Sequence, residues 1–160
     1  HRRRNLGEIF TIATRVEHAA PLLADWIKDN VSDPLVVGPD AESEQWVAAV
    51  AGRAGAPHIV SNKTRRGDRD VSIDLPDLSA LRARRAVLVD DIVSSGRTMI
   101  ETARKLSAAG MAKPVCVAVH ALFADQSYAE LLSLCERVVS TDTVPHASNA
   151  ISVAALLAPA

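Results

Sequence analysis

Two adjacent carboxylates, Asp90 and Asp91, close the apolar run Val87 to Val89, and Ser94, Ser95, Gly96 and Thr98 follow at once. Hydroxyl groups and the approachable backbone N–H groups around a glycine suit a phosphate, above all where a helix opens and presents its positive end. The aspartates would repel that phosphate. They fit a ligand whose other part is a set of sugar hydroxyls or a bound divalent cation. Asp and Ser also cap helices for purely structural reasons, but a single cap does not use six polar residues. Leu88 and its valine neighbours read as a parallel strand buried on both faces. The polar run begins where that strand is expected to leave the sheet, the place where open α/β sheets collect ligands.

A second constellation is Asn62 to Asp70, N-K-T-R-R-G-D-R-D, with four cations and two aspartates around Gly67. Alone, such a run reads as the exposed tip of a hairpin. Beside a phosphate loop, Lys63 and Arg65 gain a use, because alternate residues of an extended segment share one side and both can reach the same polyphosphate. A third segment, Val36 to Glu44, places Asp40 after Gly38-Pro39 at a strand end, where capping of the next helix is the structural reading.

These segments need a scaffold. Apolar spacing predicts helices over Ala19–Asn30, Glu42–Gly55, Arg97–Ala109, Tyr128–Leu134 and Asn149–Leu157. Strands are expected at Leu35–Val37, His58–Val60, Val71–Ile73, Val87–Val89, Val115–Val119 and Arg137–Ser140. Glu101 and Lys105 are spaced to pair on the outer face of their helix, and Trp26 and Trp46 read as core residues. Alternating strands and helices imply an α/β fold: a Rossmann-like, mostly parallel sheet flanked by helices with right-handed crossovers. The 160 residues suffice for one domain, residues 1–160, and 48% hydrophobic content agrees with a packed core.

A net charge of −1 provides no field to gather nucleic acid or an anionic membrane, and Arg2, Arg3 and Arg4 read as a local solvated cluster. No run is long and apolar enough to span a bilayer. Cys116 and Cys135 have neither metal-ligand spacing nor a disulfide framework, so a reducing, cytoplasmic setting is expected.

The pattern V-L-V-D-D-I-V-S-S-G-R-T resembles the ribose-5-phosphate loop shared by type I phosphoribosyltransferases and ribose-phosphate diphosphokinases, the enzymes that consume or make phosphoribosyl diphosphate (PRPP). Three further segments resemble the diphosphokinase branch in order along the chain: Pro39-Asp40, the Lys63-x-Arg65 loop, and Thr141-Asp142-Thr143-Val144-Pro145. The resemblance implies a type I phosphoribosyltransferase-like fold and transfer of diphosphate from ATP to ribose 5-phosphate, giving PRPP and AMP with Mg²⁺. It implies Lys63 and Arg65 as catalytic, with Arg66 and Arg69 secondary. It further implies Asp40 as a metal ligand, and Asp90, Asp91, Ser94, Ser95, Gly96 and Thr98 as the ribose-5-phosphate site. Ala41-Glu42-Ser43 departs from the glycines that many members carry after Pro-Asp. Members are about twice this long and share active sites between subunits, which implies the C-terminal half of a two-domain protein and a homo-oligomer. His1 lies near the position of a family metal histidine and is left unassigned. Two other functions share these residues: a phosphoribosyltransferase that consumes PRPP, and a non-catalytic regulator of a PRPP synthetase that binds a sugar phosphate or ADP.

Overall fold

The computed structural model describes residues 10–66 and 70–158, with the backbone alone over 62–66 and 70–73. Its strands are β1 (Pro34–Gly38), β2 (His58–Val60), β3 (Asn62–Arg66), β4 (Asp70–Asp74), β5 (Arg85–Val93), β6 (Val115–Ala121), β7 (Arg137–Thr141) and β8 (Asn149–Ile151). The helices are α1 (Ala20–Asn30), α2 (Glu44–Ala54), α3 (Arg97–Ala108), α4 (Ser127–Leu134) and the short α5 (Ala154–Leu157). Six strands form one parallel sheet in the order β2-β1-β5-β6-β7-β8, and β3 pairs antiparallel with β4 as a separate hairpin. Strand order reverses between β1 and β5. Their carboxyl ends therefore flank the crevice where such sheets bind ligands.

Each face of the sheet is sealed by helices, which explains why the central strands carry apolar residues in succession. Leu23 and Ile27 of α1 and Val47 and Val50 of α2 pack with Val36, Val87, Val89 and Val117 on one face. On the other, Met99, Ala103 and Leu106 of α3 and Leu131 of α4 pack with Leu35, Val37, Leu88 and Cys116. Each fully buried Leu or Val contributes about 1.5–3 kcal/mol relative to exposure. Trp26 and Trp46 pack at the margin of the first cluster rather than inside it, Trp26 beneath the Arg137 guanidinium at 5.1 Å. No helix among the described residues is long and apolar enough to cross a membrane.

Four expectations change. Strand β5 does not stop at Val89 but runs through both aspartates to Val93, because β6 continues to Ala121 and pairs Asp90 with Ala118 and Ile92 with His120. Its pairing with β1 ends at Val37↔Leu88, so beyond Leu88 one edge is open and polar side chains are tolerated there. The helix expected over Asn149–Leu157 is instead β8 followed by the four-residue α5. Ile151 pairs with Thr141, the Asn149 side-chain amide donates to Ser140 Oγ and Thr141 O, and these tertiary bonds outweigh a weak local helical pattern. The second helix starts at Glu44, after a 3₁₀ turn over Ala41–Ser43. Glu101 faces Arg104, which also binds Glu130, rather than Lys105.

Both cysteines are free and buried, and burial pushes the Cys135 thiol up to about 12 and Cys116 upward as well. Neither is a nucleophile at neutral pH.

Candidate functional site at the carboxyl edge of the sheet

The end of β1 brings in the first acid. Asp40 Oδ1 accepts from the Ser43 N–H at 3.1 Å and the Ser43 hydroxyl donates to Asp40 O at 2.6 Å, so the aspartate does cap the 3₁₀ turn. Its Oδ2 has no hydrogen-bond partner among the described residues and stays available. Gly38 makes this geometry possible, since a Cβ there would lie 2.6 Å from Val47 Cγ2 and 2.8 Å from Ser43 Oγ. Replacing Gly38 by alanine is expected to destabilise the protein by about 1–3 kcal/mol, as overpacking does, with a matching fall in the urea midpoint. An unchanged midpoint would show that α2 and the Asp40 turn yield without cost.

The end of β5 brings in the other two acids. The Asp91 N–H donates to Asp90 Oδ1 at 3.0 Å, and the Ile92 N–H donates to Asp91 Oδ1 at 2.7 Å. Burial first, then the Asp91 carboxylate, push the carboxyl of Asp90 up to about 7, and Asp40 adds to the rise. The three aspartates thus form a site with more negative charge than its surroundings compensate. Among the described residues no three His, Cys, Asp or Glu side chains converge closely enough to cage a metal. That donor set fits Mg²⁺ better than a tightly held cation, because Mg²⁺ is commonly held by one or two carboxylates, waters and the phosphates of a substrate.

Immediately beyond, the chain turns into α3. Gly96 has φ +64°, and a Cβ there would sit 3.2 Å from Ser127 Cβ, so both backbone conformation and packing call for glycine. The loop is pinned from one side. Leu122 and Phe123 N–H groups donate to Val93 O, and Ala124 N–H and the Ser127 hydroxyl donate to Ser94 O. Non-glycine Phe123 and Asp125 adopt positive φ in this pinning segment, at 31° and 54°. Ser94 and Ser95 are exposed and Thr98 half-buried, and none of their hydroxyls is used by a described partner. No side chain caps the first amides of α3. Unengaged hydroxyls beside uncapped amides form a receptor for an anion.

The wall facing Asp91 comes from β6 and β7. A cavity of about 270 Å³ is lined by Trp46, Asp91, Ile92, His120, Thr143 and Leu156 among others. Thr141 Oγ1 donates to Val119 O at 2.7 Å and Thr143 Oγ1 donates to the same carbonyl at 3.2 Å. Asp142 accepts from the Val153 N–H at 2.8 Å, a bond that together with Ser152 holds its carboxyl below the usual range. The Thr141–Pro145 segment therefore ties the sheet edge together. A larger cavity of about 410 Å³ lies at the opposite, amino edge. There Arg84 is paired with Asp33 and Arg85 with Glu136, which leaves those charges already neutralised.

The structure thus gathers Asp40, Asp90, Asp91 and the 94–98 loop at one sheet edge. The β3–β4 hairpin springs from the same edge, directly after β2, with Lys63 opposite Ile73 and Arg65 opposite Val71. Their alternation puts Lys63 and Arg65 on one face of the hairpin. Arg69, His1 and Arg2–Arg4 lie outside the described residues. Two further residues at this edge, His120 and Ser127, were not found by sequence reasoning. A polar residue ending the buried run Val115–Val119 was the available signal for His120, whereas nothing local marks Ser127.

Comparison with known proteins agrees with this fold. Residues 5–156 match the family described as phosphoribosyl transferase domain. The chain is 32% identical over 142 residues to a ribose-phosphate pyrophosphokinase of Sulfurisphaera tokodaii, covering 87% of the chain and 48% of that protein. It is 30% identical over 154 residues to the Methanothermobacter thermautotrophicus protein of the same name, covering 96% and 53%. The chain therefore spans about half the length of these curated relatives. Among solved structures it resembles a phosphoribosylpyrophosphate synthetase from Mycobacterium smegmatis, with TM-score 0.71, 22% identity, and 87% of this chain and 48% of that one covered. An APRTase from Giardia lamblia shares the fold at TM-score 0.59 and 16% identity, covering 76% of this chain and 77% of that one.

Proposed function

Since the chain belongs to the phosphoribosyl transferase domain family, we propose that it supplies the ribose-5-phosphate site and the catalytic hairpin of a ribose-phosphate diphosphokinase. In this reading it is the C-terminal half of a two-domain, cytoplasmic protein that acts as a homo-oligomer with shared active sites. Relatives named ribose-phosphate pyrophosphokinase, each about twice as long, support the diphosphokinase half of this reading. The observation that carries it is the uncapped, glycine-shaped start of α3 beside two acids at the switch point of the sheet.

Each part has a physical task. The hydroxyls of Ser94, Ser95 and Thr98, with the first amides of α3, hold the 5-phosphate through charge-assisted hydrogen bonds. Asp90 and Asp91 accept from the ribose hydroxyls, which sets the anomeric oxygen in line with the β-phosphorus of ATP. A bond forms between that oxygen and the β-phosphorus as its proton passes to solvent, the bond from the β-phosphorus to the α-phosphate oxygen breaks, and AMP leaves. Such a displacement asks mainly for positioning and charge neutralisation. Lys63 and Arg65 serve the transferring phosphates. Mg²⁺, held through Asp40 and the substrate phosphates, would neutralise charge and orient them.

A phosphorus NMR time course with ATP, Mg²⁺ and ribose 5-phosphate tests the reading, and PRPP with AMP is the expected outcome. In that assay Lys63→Ala is expected to lower kcat by about 10²-fold, the scale for losing one preorganised charge-stabilising group. Unchanged turnover would remove the hairpin from the chemistry. Pyrophosphate released from PRPP with a nucleobase would instead identify a PRPP-consuming phosphoribosyltransferase. Ribose 5-phosphate binding without turnover, together with capture of an active homologue, would identify a regulator.

A further inference from the structure

We infer that His120 contacts the ligand, its Nε2 forming a hydrogen bond with a hydroxyl of the phosphorylated pentose, with Thr143 setting the orientation of the ring. This rests on the sugar-phosphate reading above and adds a specificity residue to it. His120 ends the buried part of β6 and pairs with Ile92 of β5, one residue beyond Asp91. Both His120 and Asp91 line the 270 Å³ cavity, whose other walls include Ile92, Val119 and Leu156. A few convergent polar groups set in an apolar wall are the ordinary composition of a small-molecule site.

The hydrogen bonds around the ring determine which nitrogen is available. His120 Nδ1 lies 2.9 Å from Thr143 Oγ1. The Thr143 hydroxyl also reaches Thr141 Oγ1 at 3.1 Å and Val119 O at 3.2 Å, so its single proton has three acceptors in range and the ring takes the tautomer that complements it. With Nδ1 engaged by Thr143, Nε2 is the ring nitrogen left for a ligand, and a sugar hydroxyl, both donor and acceptor, can pair with it in either tautomer. Nε2 has no partner among the described residues. Placed in the same cavity as Asp91, it offers a second hydrogen-bonding group to a ligand that carries several hydroxyls in a row. The bond to Thr143 removes the ring's rotational freedom before the ligand arrives, which is the usual service of a supporting residue.

A purely structural role would use only Nδ1, as a tether for the Thr141–Pro145 segment. Two substitutions separate the roles, because asparagine reproduces the position of Nδ1 and glutamine that of Nε2. The full chain and its His120→Ala, His120→Gln and His120→Asn variants are titrated with ribose 5-phosphate and, separately, with inorganic phosphate, and thermal midpoints are recorded alongside. We expect His120→Ala to weaken ribose 5-phosphate about five- to tenfold, the scale of one hydrogen bond, with phosphate affinity unchanged. Glutamine should restore most of the loss and asparagine little. Unchanged sugar-phosphate affinity in the alanine variant, or restoration by asparagine alone, would overturn the assignment. A wild-type chain that takes up phosphate but not ribose 5-phosphate would instead remove the sugar-phosphate reading itself, and this inference with it.

Discussion

Replacing Gly96 by valine is expected to destabilise the protein by about 2–5 kcal/mol and to weaken ribose 5-phosphate binding by about 10³-fold. The stability loss has two sources. A residue other than glycine pays about 1–2 kcal/mol in the left-handed region, and a β-branched one is a clear outlier there. With φ at +64° and the added carbon 3.2 Å from Ser127 Cβ, the side chain must also push α4 away, at about 1–3 kcal/mol of overpacking. Affinity falls by a comparable free energy, because the same shift moves the amides that open α3. Each charge-assisted bond to the phosphate contributes about 1.5–3 kcal/mol, and two or three would be misaligned together. Chemical denaturation and a ribose 5-phosphate titration measure the two effects separately. A folded variant that retains its affinity would show that the phosphate does not sit at the start of α3.

Asp90→Asn is expected to do the opposite to stability while also disabling the site. Folding raises the carboxyl of Asp90 from its ordinary 3.8 to about 7, through burial first and then the Asp91 and Asp40 carboxylates. The folded protein therefore holds a proton more tightly than the unfolded chain does. Below pH 4 both states are protonated and nothing is lost. Between pH 4 and 7 only the folded state keeps the proton, so stability declines as pH rises, and above pH 7 the loss is complete. The displacement corresponds to about 4 kcal/mol. Asparagine, which never ionises, should match the wild type near pH 4 and exceed its melting temperature by roughly ten degrees at pH 8. In the diphosphokinase reading, kcat/KM should fall about 10²- to 10³-fold, the loss of two charge-assisted bonds to ribose hydroxyls. Melting curves at the two pH values decide the matter, and a variant no more stable than wild type at pH 8 would show that Asp90 is charged at no cost. Mg²⁺ should narrow the pH 8 difference by relieving the same repulsion. In that reading, stability is sacrificed to function at one identifiable carboxylate.

Much of the architecture could be read from residue order. Val87 to Val89, Val115 to Val119 and Leu35 to Val37 are apolar in succession, and only a strand covered on both faces uses such a run, so the buried parallel sheet followed from composition alone. Gly96 and its hydroxyl neighbours marked the loop because glycine and small polar residues are what a backbone approaching an anion requires. The Lys63–Arg65 hairpin was visible as charge density around a glycine.

Elsewhere local pattern misled, and always for a tertiary reason. Ala154 to Leu157 looks helical and is, but Asn149 to Ile151 joins the sheet because Thr141 and Ser140 are there to receive it. Asp90 and Asp91 read as a loop, yet they are held in a strand by a neighbour that runs past them.

From the amino-acid order alone came the α/β class, the acids and hydroxyls of the candidate site, and their sequence along the chain, since each depends on the identity of adjacent residues. Folding decided the rest: that Asp40 would stand near enough to Asp90 to help raise its carboxyl, that Ser127 would fill the space beneath Gly96, and that Thr143 would orient His120. Those relations join residues distant in sequence, and only the packing of β1, β5, β6 and β7 side by side sets the distances on which their energies depend.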